Sequence, residues 1–149
     1  MVVIGSDCRY DLVDYIKSKL ELLKLDYHDV TQSLPKEHLN WVSVAHKVGS
    51  IVSLRQAEFG ILVCWSGTGV SIAANKIKGV RAVLVDDART ADCAIHWNYA
   101  NVLCLSARQI TNIMFDEIIA SWLSATASEN KLDTQVLQEL LEHEDLIYK

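Results

Sequence analysis

The chain has 149 residues, half of them apolar, with a single proline and a formal net charge of −5. That length supports one well-buried core and is short for two, and an acidic balance without a basic cluster argues against binding along a nucleic-acid phosphate backbone. No run of about 18 apolar residues offers a membrane span, and the opening MVVIGSDCRY lacks the basic start and long apolar stretch of a signal peptide, so a cytoplasmic protein is expected.

Along the chain, short β-rich runs alternate with segments of helical period. A strand is expected at Val2–Gly5, followed by an apolar stripe at Leu12, Val13, Ile16, Leu20 and Leu23. A second strand at Tyr27–Val30 precedes a stripe at Trp41, Val44, Ala45, Val48 and Val52. The third strand, Phe59–Cys64, runs into the glycine turn of CWSGTGVSIAANK and then into a helix. Strands at Val80–Val85 and Val102–Leu105 follow, and a last stripe holds Ile113, Ile118, Ile119 and Trp122. After SATASENKL the helical pattern resumes over 133–149, with Asp133 as N-cap and Val136, Leu137, Leu140 and Leu141 on one face. Such a tail packs on its own domain or on a neighbouring subunit, and residues 1–149 read as one domain.

Alternation of this kind predicts parallel strands joined by crossover helices, and continuously apolar strands predict a sheet covered on both faces. The expectation is an α/β, Rossmann-like, three-layer sandwich with the flavodoxin-like strand order 2-1-3-4-5. In that order ligands bind beyond the carboxyl ends of strands one and three, where the winding reverses. The loop Ser6–Tyr10 would then lie beside Trp65–Gly69, with Asp7, Cys8 and Arg9 close to Cys64 and Ser66. Asp86, Asp87, Arg89 and Ser106–Arg108 fall on the same edge.

Gly67 and Gly69 allow the backbone to curl so that successive N–H groups converge on an anion at the start of the following helix. Several known loops do not fit. There is no G-x-x-x-x-G-K-[ST] string, Ile72 stands where a dinucleotide fingerprint needs glycine, Cys64 and Thr68 replace the glycines of a hydrolase elbow, and Val70 replaces the arginine of a cysteine phosphatase loop. The four cysteines, Cys8, Cys64, Cys93 and Cys104, show neither C-x-x-C spacing nor a nearby histidine cluster, which argues against disulfide and metal frameworks. Cys93 and Cys104 read as small buried hydrophobes. Cys64 is set apart by its place at the strand end beside the turn.

The string as a whole resembles ribose-5-phosphate isomerase B and its relatives, the galactose-6-phosphate isomerase subunits. The resemblance is carried by IGSD at Ile4–Asp7, CWSGTGVSIAANKIKGVRAVL at Cys64–Leu84, Thr90–Ala91, and WNYANVLCLSAR at Trp97–Arg108. It implies a five-stranded parallel sheet in a homodimer or homotetramer with shared active sites, acting on a pentose or hexose phosphate. Aldose and ketose phosphate would interconvert through an enediolate without metal or redox cofactor. By the same resemblance Cys64 is the proton-transfer cysteine and Ser66 handles the sugar oxygens. The amides around Gly67, Thr68 and Gly69 form the anion hole, Asp7 contacts the sugar hydroxyls, Asn98 follows the ring-opening position, and Arg108 meets the phosphate. Cys8, Arg9 and Trp65 line the substrate pocket.

The chain departs from that pattern at several positions. The usual SDHAG is SDCRY here, so Cys8 replaces a histidine, and Arg9 and Tyr10 add bulk. Trp65 replaces the glycine after the cysteine, and Trp97 stands in place of the ring-opening histidine, with His96 one residue earlier. The tail from Asp133 to Lys149 has no arginine, where the isomerases carry arginines that reach the phosphate. A non-catalytic sugar-phosphate-binding homologue, or the partner subunit of an active chain, is the alternative reading.

Overall fold

The computed structural model describes residues 1–148. Five parallel strands, β1 (Val2–Ser6), β2 (Tyr27–Asp29), β3 (Phe59–Cys64), β4 (Ala82–Leu84) and β5 (Val102–Ser106), form one sheet. Six helices surround it: α1 (Asp11–Leu22), α2 (Trp41–Ser53), α3 (Thr68–Ala74), α4 (Ala88–Asn98), α5 (Asn112–Ser124) and α6 (Lys131–Ile147). The parallel sheet with helices on both faces is as expected, because β1, β3 and β5 are buried along their whole length and need apolar cover above and below.

The far edge of the sheet differs from expectation. The order is β2-β1-β3-β5-β4, not 2-1-3-4-5. Burial explains the exchange: β5 (VLCLS) is buried at all five positions, whereas β4 has three residues whose burial falls from Ala82 to the exposed Leu84. A strand that is apolar on both faces takes the interior place, and a short, partly exposed one takes the edge. Because β4 to β5 runs back toward the centre, a right-handed crossover carries α4 to the face of α1 and α5. The core accordingly divides in two. Ile16, Leu20, Ala91, Ala94, Phe115 and Ile118 fill one side, and Val44, Val48, Val70 and Ala74 fill the other.

Individual helix residues depart from the expected stripes. Leu12, Val13, Ile16 and Leu20 of α1 are buried, but Leu23 follows the helix and is exposed. Trp41 and Ile113 are exposed as well, each lying at or next to the N-terminal end of its helix, beyond the edge of the sheet. Helix α2 is started by a capping box in which the Asn40 side chain accepts from Ser43 N–H and the Ser43 hydroxyl accepts from Asn40 N–H. It packs closely on the sheet because β1 and β3 present glycines to it. A Cβ on Gly60 would stand 2.6 Å from Val48 Cγ1, and one on Gly5 2.8 Å from Val48 Cγ2. That close approach fixes the position of Trp41 beside the site.

The tail forms α6, but its N-cap is Asn130, whose side chain accepts from Leu132 N–H. Asp133 lies within the first turn instead and accepts from the Ser128 hydroxyl at 2.5 Å. A tie near its C-terminal end holds α6 to its own chain: Gly79 N–H donates to Glu144 at 2.8 Å, and Lys78 pairs with Asp145 at 2.6 Å. No residue of α6 is fully buried; Val136 and Leu140 are exposed, and Leu137 and Leu141 are partly so. No helix is long and apolar enough to cross a membrane among the described residues.

Candidate functional site

The winding reverses between β1 and β3, which are hydrogen-bonded neighbours with Ser6 opposite Val63. Their carboxyl ends therefore place the loop after Ser6 beside the turn after Cys64, as the sequence led one to expect. The first loop is pinned by Ser6, whose hydroxyl donates to the Cys8 carbonyl at 2.7 Å and whose N–H donates to Thr31 Oγ1 at 3.0 Å.

Cys64 ends β3 with its side chain buried. Gly67 adopts φ +76°, a left-handed conformation that costs a side-chain-bearing residue about 1–2 kcal/mol. The turn folds back so that Gly67 N–H donates to Cys64 Sγ at 3.1 Å. No room exists there for a Cβ, which would meet Leu84 and come within 3.1 Å of the Leu105 carbonyl carbon and of Ser106 N. The end of β5 holds the thiol-bearing segment from the other side. Ala107 N–H donates to the Cys64 carbonyl at 2.9 Å, and Arg108 N–H and the Ser106 hydroxyl donate to the Trp65 carbonyl at 3.2 and 3.0 Å. This clamp orients Cys64 and leaves the Trp65 ring 62% exposed at the mouth of the site.

Two hydroxyls flank the turn, Ser66 Oγ and Thr68 Oγ1, 2.7 Å apart. The N–H groups of Thr68, Gly69 and Val70 precede the first bond of α3, from Ser71 N–H to the Gly67 carbonyl at 3.3 Å, and belong to the orphan donors of a helix start. Gly67 N–H is already committed to sulfur, so the donors facing outward start at Thr68. Trp41 lies flat against this turn: a Cβ on Gly69 would stand 3.1 Å from its Cδ2. Sequence reading placed Trp41 in the core, and only the packing of α2 brings it here.

On the first loop Asp7 is half-buried, and burial pushes its carboxyl up from the ordinary aspartate value, while the Tyr10 hydroxyl, donating to Oδ1 at 3.2 Å, pulls it down. Cys8 is exposed. Arg9 extends into solvent with its side chain 90% exposed and approaches Asp14 at 3.8 Å. A cavity of about 420 Å³ opens beside this loop, lined by Cys8, Arg9 and Tyr10 together with Lys17, Asp29 and Thr31. Lys17 and Asp29 form an ion pair across it. Arg108 is exposed on the same edge, next to Trp65.

The remaining sequence candidates divide between the two edges of the sheet, with Asp87 on the edge of Cys64 and Asn98 on the other. Asp87 caps α4, its side chain accepting from Thr90 N–H at 2.7 Å, and serves the helix. Asn98 ends α4 at the opposite edge of the sheet, where Asn101 N–H reaches the Arg81 carbonyl and Gly60 N–H reaches the Asn101 carbonyl, both at 3.0 Å. An 11-residue helix antiparallel to the strands carries Asn98 about 16 Å from the edge that bears Cys64. There it lines a second cavity, of about 490 Å³, with Arg81, Leu140, Glu144 and Tyr148. His96 Nδ1 bonds to the Thr126 carbonyl at 2.9 Å, tying the segment before α6 to α4, and Trp97 is exposed. Cys104 is buried, which pushes its thiol up, and Cys93 is only half-buried. Among the described residues no group of three or more His, Cys, Asp or Glu is arranged to hold a metal.

Comparison with known proteins places this arrangement. The sequence profile of the ribose/galactose isomerase family matches residues 2–139. A probable ribose-5-phosphate isomerase B of Mycoplasma pneumoniae is 47% identical over 125 residues, covering 83% of this chain and 82% of its own. The galactose-6-phosphate isomerase subunit LacB of Clostridium acetobutylicum is 34% identical, covering 96% of this chain and 86% of its own. Ribose-5-phosphate isomerase B from Mycoplasma genitalium, solved with bound ribulose 5-phosphate, superposes with a TM-score of 0.86 at 29% identity over 97% of this chain and 95% of the other.

Proposed function

Because the chain belongs to the ribose/galactose isomerase family, we propose that it is an aldose–ketose isomerase acting on a sugar phosphate through an enediolate, with Cys64 as the base. The observation that supports this most directly is the Gly67 N–H bonded to Cys64 Sγ at 3.1 Å at the point where the sheet's winding reverses. In the reaction, the Cys64 thiolate takes the proton from the carbon beside the substrate carbonyl. The electron pair of that C–H bond becomes the C=C bond of the enediolate as the carbonyl π pair moves onto oxygen. The hydroxyl proton on the deprotonated carbon passes to that oxyanion, the new C=O forms at the deprotonated carbon, and the thiol returns its proton to the former carbonyl carbon, restoring the thiolate. The developing oxyanion meets the N–H groups of Thr68 and Gly69 and the hydroxyl of Ser66, donors held in place before charge appears. Asp7 orients the sugar hydroxyls, and Arg108 on the same edge binds the phosphate.

Asn98 cannot reach a sugar held at Cys64 of its own chain. The reading therefore includes a homodimer, in which the partner's Asn98 completes each site. Exposed Leu132, Val136 and Leu140 on α6, of which Leu140 lines the cavity that holds Asn98, supply apolar surface for such an interface. The cysteine, its amide donor and the clamp from β5 are all present, which favours an active enzyme over a non-catalytic homologue. The test is turnover by the purified protein of ribose 5-phosphate and of several hexose 6-phosphates, followed by appearance of the ketose. Absence of turnover with every one, while the sugar phosphates still bind, would replace the isomerase by a binding protein.

A further inference from the structure

Tyr10 occupies the N-cap of α1, a position where serine, threonine or aspartate ordinarily accepts a bond from the first turn. Its side chain makes no such bond. The ring packs against the core cluster under α1, and the hydroxyl turns back across the loop to donate to Asp7 Oδ1 at 3.2 Å. Burial, with Asp7 beside it, pushes the phenol up to about 12, so the hydroxyl keeps its proton and remains a donor throughout the neutral range. The titratable and charged groups around it are Asp7 and Cys8 on its own loop, Cys64 at the end of β3, and Arg9, Asp14, Lys17, Asp29 and Lys36 around the cavity it lines. Asp7, Tyr10 and Cys64 thus form one cluster drawn from two loops. The packing of the ring does not require the hydroxyl, which a phenylalanine would omit at no cost in shape.

We propose that Tyr10 is a positioning residue for the isomerisation, its hydroxyl holding the Asp7 carboxylate toward the sugar beside Cys64. This rests on the isomerase reading above. The bond favours the ionised carboxylate, so its loss lets burial raise Asp7 further and moves the acidic limb of the rate profile to higher pH.

The experiment compares wild type, Tyr10→Phe, Asp7→Asn and the double variant, with melting curves for each and kcat/KM followed from acid to neutral pH. Tyr10→Phe is expected to melt near wild type, to lose about tenfold in kcat/KM, and to show its acidic limb at higher pH. In the Asp7→Asn background the Tyr10 substitution should add nothing further, because the carboxylate it serves is gone. Tyr10→Phe with wild-type kcat/KM and an unmoved limb overturns the proposal, as does an equal loss on top of Asp7→Asn, which would mark a purely structural role. Should wild type itself turn over no sugar phosphate, the isomerase reading falls and the role of Tyr10 falls with it; the proposal fails alone only when wild type is active.

Discussion

Cys64 and Asn98 stand at opposite edges of the same sheet, one at the carboxyl end of β3 and the other at the end of α4 beside the first residues of β3 and β4. On the proposed homodimer, a site that uses both would be built from two copies of the chain related by a two-fold axis. Mixing Cys64→Ala with Asn98→Ala chains should then recover activity that neither has alone. Equal amounts, after subunit exchange, give about a quarter of wild-type turnover, since half the dimers are mixed and each mixed dimer has one intact site. A mixture that stays inactive while ultracentrifugation shows mixed dimers would remove Asn98 from the site.

Cys64→Ala should abolish isomerisation while leaving the fold and ligand binding nearly intact. The base is lost, a factor of at least about 10²–10⁴ in kcat, but the Thr68 and Gly69 donors remain. Cys104→Ala, in the core beneath the turn and with no access to the site's surface, should instead lower the melting temperature without changing kcat. Steady-state kinetics and thermal melts on both variants separate the two roles, and a Cys64→Ala protein with undiminished kcat would remove the assignment.

Gly67→Ala should be far more damaging than Gly79→Ala, although both glycines have positive φ. At Gly79 the nearest atom to an added Cβ is Ser53 Oγ at 3.6 Å, so only the backbone strain of about 1–2 kcal/mol applies. At Gly67 the same strain is joined by contact with Leu84 and with the backbone of β5, for a total of about 2–4 kcal/mol. Any relief by unwinding the turn also withdraws the N–H from Cys64. Chemical denaturation of the two variants, with kcat measured alongside, checks the difference.

Arg108→Ala should weaken sugar-phosphate binding about ten- to hundredfold, the loss of one charge-assisted contact. Deleting residues 131–149 removes no arginine and should weaken binding much less, provided the assembly survives. Calorimetric titration of both variants, with oligomeric state measured in each, decides the matter. If Arg108→Ala binds like wild type and the assembled truncation does not, the phosphate is held by the tail.

The strands, the glycine turn and the placing of Cys64 at its edge were legible in the sequence because each is written in neighbouring residues. An apolar run such as FGILVC specifies a doubly covered strand, and a glycine three residues past its end specifies the left-handed bend. The adjacency of the Asp7 and Cys64 loops followed as well, since it depends only on β1 and β3 being neighbours across the winding reversal.

The exchange of β4 and β5, the exposure of Trp41 against Gly69, the bond from Tyr10 to Asp7 and the separation of Asn98 from Cys64 were decided by tertiary structure alone. β4 and β5 both read as apolar runs, and which one sits at the edge depends on how much surface the finished sheet covers. Trp41 fits a helical stripe by spacing, yet α2 ends beyond the sheet at that residue, so the ring meets a loop instead of the core. WNYANVLCLSAR places Asn98 only ten residues from Arg108, but β5 lies between them and sends the two to opposite edges. Sequence distance measures chain length, whereas a site depends on direction, and direction is set only when every strand and helix has packed against its neighbours.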